Sequence, residues 1–466
     1  MEYRTEHDTL GEVRVPHQAY YGAQTQRAVE NFPVSGLRLP TAFVHAQAVI
    51  KRAATQANMA AGALDKDIGE ALVAAAEEIM AGKFADQFVV DVFQAGAGTS
   101  QNMNINEVLA NRANELLGGK RGVYDPVHPN DHANMAQSTN DTIHTAIHIA
   151  AVCETHDRLL PALVRLADAL EAKSVEFDHV IKAGRTHLQD AAPVRLGQEF
   201  GAYASMIRLS RGRIEAACEG LKPLCIGGTA VGTGLNTDPK FRERVLSHIN
   251  EATGHAFTSP ENLFEAMQSM DAVVEMAGAL RVLVTSLLKI ADDLRLLGSG
   301  PRTGLAEIRL PAVQPGSSIM PGKVNPVMAE MLNMVCFHCL GCDAAIVSAA
   351  QAGQLELNVM MPVIAHNLLQ EIAILAGGIE AFTSRCVKGV EANEDACRAS
   401  AERSLALATA LNPAIGYEKA AKLAQEALRT GTPIRELARA KKLLDEDQLD
   451  KLLDLRRMTE DPAATE

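Results

Sequence analysis

The sequence predicts an all-α protein, and three observations carry that prediction. Ala, Leu, Val and Met are abundant, aromatic residues make up only 4% and Trp is absent, a balance that suits closely packed helices better than sheets. Apolar residues recur at helical spacing over five stretches, roughly 138–176, 194–222, 262–298, 325–350 and 355–385. At 1.5 Å rise these stretches of about 26 to 39 residues correspond to roughly 40 to 58 Å, against an average helix of about 11 residues. Several are apolar around much of their circumference, as in DAVVEMAGALRVLVTSLLKIADDLRLLG. Such a helix needs more than one packing partner, so the expectation is a long-helix bundle that packs against further copies of the chain.

In chain order, residues 1–136 read as an N-terminal, mainly helical domain. It mixes PHQAYYGAQTQ with helical runs from about Thr41 to Met59 and from Asp65 to Met80, and then GAGTSQNMNINEVLANRANELLGG. Residues 137–390 hold the five long helical patterns and form a central bundle domain. Residues 391–466 form a small C-terminal helical domain, in which NPAIGYEKAAKLAQEAL, TPIRELARA and DEDQLDKLL are separated by Gly, Pro and Asp. The final MTEDPAATE reads as a frayed tail. There is no internal repeat and no low-complexity tract.

Composition excludes several classes. A chain of 466 residues can bury a sizeable core. With 44 basic and 57 acidic side chains its net charge is −13, which disfavours binding to a phosphate backbone. A small anion can still be held by local helix starts, Lys and hydroxyls. The charged N-terminus MEYRTEHDTLGEV lacks the apolar core of a signal peptide, and no run approaches the ~18 uninterrupted apolar residues of a membrane span, so the expected location is the cytoplasm. The eight cysteines fall mainly in helical patterns and are expected to be reduced. Cys336, Cys339 and Cys342 have the spacing of a cluster motif, but i, i+3, i+6 is also one stripe of a helix, and that reading is preferred. His144 and His148, at i and i+4, have no nearby carboxylate motif, and no metal is expected there.

Three polar islands interrupt the apolar background. The first comprises GAGTSQNMNIN (96–106) and HPNDHANMAQSTND (128–141). Gly96 and Gly98 permit close backbone approach, Thr99 supplies a hydroxyl, and Ser138, Thr139 and Asn140 stand at a helix start with unpaired N–H groups, an arrangement suited to a carboxylate. A capped helix and an ordinary Asx-rich turn would read the same way. The second island, AGRTHLQDAAP (183–193), gathers Arg185, Thr186, His187, Gln189 and Asp190, with Arg185 and Asp190 expected to pair and fix the turn. The third, QPGSSIMPGKVNPVMAE (314–330), combines glycine mobility, Ser317, Ser318, Lys323 and a helix start at Asn325-Pro326 that carries Glu330. Those are the parts of a closing, anion-binding lid with its own base.

GSSIMPGKVNP resembles the signature of the fumarase/aspartase superfamily, and the likeness extends to GTSQNMNINEV, HPNDH, QSTND, GRTHLQDA and GGTAVGTGLN, over nearly the whole chain. The resemblance implies a three-domain fold with a central five-helix bundle, a homotetramer with a twenty-helix core, and active sites each shared by three subunits. It also implies reversible anti-elimination on succinyl-type substrates that releases fumarate, without an essential cofactor. Ser317 would match the catalytic base that takes a proton beside a carboxylate to give an aci-carboxylate. Both its alkoxide and the dianionic intermediate need preorganised stabilisation, for which Lys323, Asn325 and loop amides match the family's groups. Thr99, Ser138, Thr139, Asn140, Thr186 and Ser318 match substrate-binding positions. His187 and Glu330 match a pair that handles the proton or orients the leaving group, and His128, Asn130 and Asp131 match a secondary dicarboxylate site.

Within the superfamily the motifs divide. GAGTS, STND, YYGAQT, DLRLLGSGPRTGLAEI and GQLELNVMMPV are more like aspartate ammonia-lyases, whereas GGTAVGTGLN, HPNDH and AHNLLQ are more like class II fumarate hydratases. Met361 replaces the Glu of many aspartases and the basic residue of many fumarases, and Ile143-His144 stands where an aromatic residue and Pro are common. The leading expectation is an aspartate ammonia-lyase, with fumarate hydratase as the alternative. Intact Ser317, Lys323, Asn325 and His187 speak against a non-catalytic structural homologue.

Overall fold

The computed structural model describes residues 2–460. Among these residues there are seventeen α-helices and three antiparallel strand pairs, so the all-α expectation holds. The chain forms two compact units. One contains Met1–Pro161, Ser210–Val284 and Phe337–Ala376, and the other Ala162–Leu209, Thr285–Cys336 and Gly377–Glu466. Every boundary between them falls inside one of the long helices.

The five long patterns are all helical. The first runs as Thr139–Glu154, a π turn at Thr155–Leu159, and Leu160–Glu176. The wide turn precedes Pro161, whose nitrogen cannot donate and whose ring would crowd the carbonyl four residues back. The others are Leu196–Gly220, Asp271–Leu297, Val327–Ala350 and Met361–Arg385. The expected helix 262–298 is divided, because a short helix Leu263–Gln268 stops at extended Ser269, whose hydroxyl caps the next helix through Asp271 N at 3.1 Å. The Ser269 carbonyl faces His144 Nε2 at 3.0 Å, and the Leu221 carbonyl faces His148 Nδ1 at 2.9 Å. Both histidines are buried and tied to backbone, and burial pulls His148 down to about 3. Cys336, Cys339 and Cys342 are a buried stripe of Val327–Ala350, with burial pushing Cys336 up to about 12.

In the first unit Val44, Leu72, Ile79, Ile105 and Leu109 join in one core between the helices Thr41–Ala60, Lys66–Met80 and Thr99–Leu116. The strand pair Tyr3–Asp8 and Gly11–Pro16 lies where the sequence suggested turns and short helices. In the second unit Leu407, Leu411, Leu423, Ile434 and Leu449 build a C-terminal core. The expected tail begins in order: Arg457–Thr459 is a helical turn, and Gln198 Nε2 donates to the Thr459 carbonyl at 2.9 Å. Residues 461–466 of that tail lie outside the described residues.

By length and average composition Val327–Ala350 and the stretch Met361–Gly389 could cross a membrane, and 39% of the most apolar window of the former is buried. Glu330 and Asp343 break the first and Glu371 and Glu380 the second, so neither holds ~18 uninterrupted apolar residues. Met334 and Phe337 on the first are 65% and 59% exposed, an apolar face that a single chain leaves uncovered.

Glu371 is fully buried, and neither of its carboxyl oxygens has a hydrogen-bond partner. Burial raises it from 4.5 to about 9; Asp343 adds to the rise and Arg281, which pairs with Asp343 at 2.8 Å, opposes it. The folded protein therefore keeps a proton that the unfolded chain releases. The stability tied to this group is full below about pH 4.5 and is lost as pH climbs towards about 9. Glu371→Gln, which does not titrate, should melt progressively higher relative to the parent as pH rises across that window. Parallel melting curves from pH 5 to pH 9 would contradict the assignment.

Candidate active site

The first island lies in the first unit. Thr99 opens the helix Thr99–Leu116 behind Ala97 and Gly98, both with positive φ (59° and 80°). A Cβ at Gly98 would stand 3.1 Å from Ile143, so glycine lets this helix start approach the helix Thr139–Glu154. Ser138 caps the latter by accepting from Asn140 N at 3.2 Å, and Asp141 Oδ1 returns the bond to Ser138 N at 2.9 Å, a complete capping box. Asp141 Oδ2 accepts from the amides of Gly227 and Thr229, both at 3.0 Å. Asn140 Nδ2 donates to the Ala230 carbonyl at 2.8 Å. The GGTAVGTGLN turn is thus fastened to the Ser138 helix start.

Beneath these groups lies a buried amide network. Lys51 Nζ donates to Asn134 Oδ1 at 3.0 Å, Asn102 and Asn106 donate to the same oxygen at 3.1 Å each, and Asn102 Nδ2 also reaches Thr139 Oγ1 at 3.2 Å. Burial pulls Lys51 down and pushes Asp141 up, each to about 7, and each is opposed by the charge of the other. Nearby, His128 Nδ1 accepts from the amides of Asn130 and Asp131 at 3.2 and 3.3 Å and lies 3.4 Å from the Asp131 carboxylate. That fixes the tautomer with the proton on Nε2 and leaves Asn130 and Asp131 exposed.

The second and third islands lie in the second unit. The second is a β-hairpin, Ile181–Thr186 paired with Gln189–Arg195, where a plain connection between helices was expected. Its two-residue loop is His187-Leu188, with φ of 55° and 59°. That loop geometry normally takes Asn-Gly, so a His-Leu pair there is strained. Arg185 stands opposite Asp190 in the hairpin register, but no ion pair joins their side chains. Its guanidinium grips both oxygens of Glu307 at 2.9 Å, while Asp190 accepts from Leu405 N at 3.3 Å. Glu307 also meets Lys182 Nζ at 3.2 Å and Ser400 Oγ at 2.9 Å, and Lys182 and Glu307 are each only 1% exposed. The turn is therefore fixed by a buried charge cluster.

In the third island Ser317 Oγ accepts from the amides of Ile319 and Met320 at 3.2 and 2.9 Å. Gly316 N donates to the Lys323 carbonyl at 2.8 Å and Asn325 Nδ2 to the Gly316 carbonyl at 2.6 Å, closing the base of the loop. Lys323 and Ser318 are exposed, and Ile319 is 83% exposed. Glu330 sits in the first turn of Val327–Ala350. Within this unit, among the described residues, no hydrogen bond or ion pair joins His187 to Glu330.

The structure thus groups Thr99, Ser138, Thr139 and Asn140 in one unit, and Thr186, His187, Ser317, Ser318, Lys323, Asn325 and Glu330 in the other. Sequence reasoning missed Lys51, Asn102, Asn134 and Glu307. Of the groups it passed over, Asp141 was legible, since Ser-x-x-Asp before an apolar run is a capping signal; Glu307 carries no such signal.

In one unit a serine held by backbone amides and an imidazole on a strained turn, and in the other a pair of hydroxyl-lined helix starts, are groups of the kind that handle small anions. The family profile described as Lyase matches residues 11–341, and that described as Fumarase C C-terminus matches residues 407–460. The fumarate hydratase class II of Methylorubrum extorquens is 52% identical over 94% of this chain and 93% of its own, and the aspartate ammonia-lyase of Bacillus subtilis is 49% identical over 98% and 96%. The cobalt-bound fumarate lyase:delta crystallin of Brucella melitensis superimposes with a TM-score of 0.95 at 47% identity, covering 99% of this chain and all of that one. The chain belongs to the fumarase/aspartase superfamily and is a lyase.

Proposed function

We propose that this lyase removes ammonia from L-aspartate to give fumarate by reversible anti-elimination. The observation that carries the reading is Ser317 Oγ, held by two amide donors at the tip of a loop that also bears Lys323. Those donors would stabilise the serine alkoxide. In the elimination Ser317 takes the proton from the carbon beside one carboxylate, the electron pair enters that carboxylate as an aci-carboxylate, and its collapse forms the double bond and expels ammonia. Lys323, Asn325 and Ser318 would face the anionic intermediate, Ser138, Thr139 and Thr186 would bind the carboxylates, Thr99 and Asn140 would contact the substrate beside the leaving group, and His187 with Glu330 would serve the leaving group. His128, Asn130 and Asp131 would form the secondary dicarboxylate site.

One detail supports an ammonium leaving group. Thr99 Oγ1 donates to the Gly96 carbonyl at 3.2 Å and Asn140 Nδ2 to Ala230, so both side chains have committed a proton and present acceptor oxygens. An ammonium, which only donates, suits them. A second reading, class II fumarate hydratase acting on L-malate, is favoured by relatives of that name such as the one from Halobacterium salinarum at 54% identity.

The reading includes a homotetramer of three-domain subunits with sites shared by three chains. Exposed Met334 and Phe337 on an incompletely buried helix support it, and a free four-carbon acid as substrate suits a cytoplasmic enzyme. The test follows the ultraviolet absorbance of fumarate with L-aspartate or L-malate as substrate. A rise with aspartate alone is expected; a rise with malate alone would replace the first reading by the second, and silence with both would refute each.

A further inference from the structure

A cavity of about 530 Å³ opens in the first unit between the start of the helix Thr41–Ala60, the end of Lys66–Met80 and the end of Thr139–Glu154. Its volume is that of a small-molecule site, and none of the expected substrate-binding or catalytic residues lines it. Cys153, on its wall, lies about 20 Å along its helix from Asn140. The lining residues divide by depth. Leu39, Val49, Ile79, Phe88 and Ile149 are buried and form an apolar floor, whereas Arg38, Thr41, His45, Lys83 and Asp157 are exposed and form a charged rim.

Two charges at the rim are already paired, Lys83 with Glu78 at 3.0 Å and Glu154 with Arg158 at 2.9 Å. Arg38 and Asp157 are not. Among the described residues neither forms an ion pair, and the Arg38 guanidinium donates only to the Leu37 carbonyl at 3.1 Å. Next to Arg38 in the chain, the helix Thr41–Ala60 begins at Pro40 with no capping side chain and no acidic residue in its first turn. Among the described residues nothing accepts from the amides of Thr41 and Ala42, so this part of the rim presents unused donors and positive charge. Burial pulls His45 down, and the charges of Asp157 and Glu154 oppose that pull. Asp157 therefore stands near His45, one helical turn, or about 5 Å, beyond the helix start.

We infer that this cavity binds a small zwitterion with an apolar side chain, an amino acid of the leucine or phenylalanine kind. Its carboxylate would meet Arg38 and the helix start, its ammonium Asp157, and its side chain the floor. Donors without an acceptor suit a carboxylate, and a carboxylate without a donor suits an ammonium. An α-amino acid carries both charges next to one carbon, which matches partners one helical turn apart, and its side chain gains by leaving water for the floor. A ligand with only one of the charges would leave Arg38 or Asp157 unpaired. The site does not depend on which elimination the protein catalyses.

The test is a ligand-observed NMR titration of the full protein with L-phenylalanine as the probe. Binding with a Kd of about a millimolar is expected, the scale of a ligand of about a dozen heavy atoms, and succinate, a non-reacting dicarboxylate, should not displace it. Glycine, which has the head without the side chain, should bind at least about tenfold more weakly. Phenethylamine and 3-phenylpropionate, each lacking one charge, should bind about fivefold more weakly than L-phenylalanine, the scale of one rim charge. Arg38→Gln should remove the preference over phenethylamine, and Asp157→Asn the preference over 3-phenylpropionate. Both side chains are exposed and outside any ion pair, so the variants should fold as the parent does. Displacement by succinate, equal binding of either singly charged analogue by the parent, preferences that survive both substitutions, or no binding of L-phenylalanine would each overturn the proposal.

Discussion

Ser317→Ala should lose at least about a thousandfold in kcat while remaining folded, because it removes the proposed base, whose oxygen the amides of Ile319 and Met320 hold. Ser317 is only partly buried, and its side-chain bonds are to the amides of Ile319 and Met320 within its own loop. The base of the loop is closed independently by Gly316, Lys323 and Asn325. Losing the hydroxyl therefore costs about a turn cap, roughly 1 kcal/mol, and leaves both helical units as they are. The measurement is steady-state fumarate formation by the parent and the variant, with thermal melting as the control for folding. A variant whose kcat is unchanged and whose KM alone rises would give Ser317 a binding role, and another base would have to be sought.

Glu307→Ala should have the largest effect on stability. Its carboxylate lies between Lys182 and Arg185, and it also accepts from Ser400. Removing it strips a buried lysine of one of its two carboxylates, leaving Glu199 at 3.0 Å, and deprives Arg185 of its bidentate partner. Breaking a buried ion pair in this way typically destabilises by about 3 to 5 kcal/mol, because the remaining charges stay desolvated. The hairpin that carries Thr186 and His187 loses its anchor in the same step, so a lowered melting temperature should be joined by a drop in turnover. Adding Lys182→Met to Glu307→Ala should recover part of the stability, since the double change exchanges a buried charge pair for apolar contact. An unchanged melting temperature in Glu307→Ala would mean that Glu199 alone satisfies Lys182.

The strained backbone repeats a pattern across the islands. Ala97, Ala136 and His187, none of them glycine, all have positive φ, and each lies within or just ahead of a segment expected to meet substrate. Residues held in such conformations persist where the surroundings impose them, and they gather at working sites. Nothing in the residue types announces this. The sequence reads GRTHLQDA as a polar connection, and the strand before the turn is clamped by Glu307, 120 positions beyond His187.

What the sequence determined by itself was local and periodic. Long apolar repeats set the helices at 139–176, 196–220, 271–297, 327–350 and 361–385, because 3.6-residue spacing and a low aromatic content leave little else to form. The polar islands stood out as breaks in that periodicity, and their signature residues gave the superfamily. Tertiary structure alone decided the partners: Arg185 with Glu307 rather than Asp190, Asp141 with the Gly227–Thr229 turn, and Lys51 with Asn134. The physical reason is that helix formation is governed by neighbours three and four residues away, whereas a buried charge or carboxamide must find its partner wherever the fold brings one within 3 Å. Sequence spacing carries no information about that distance.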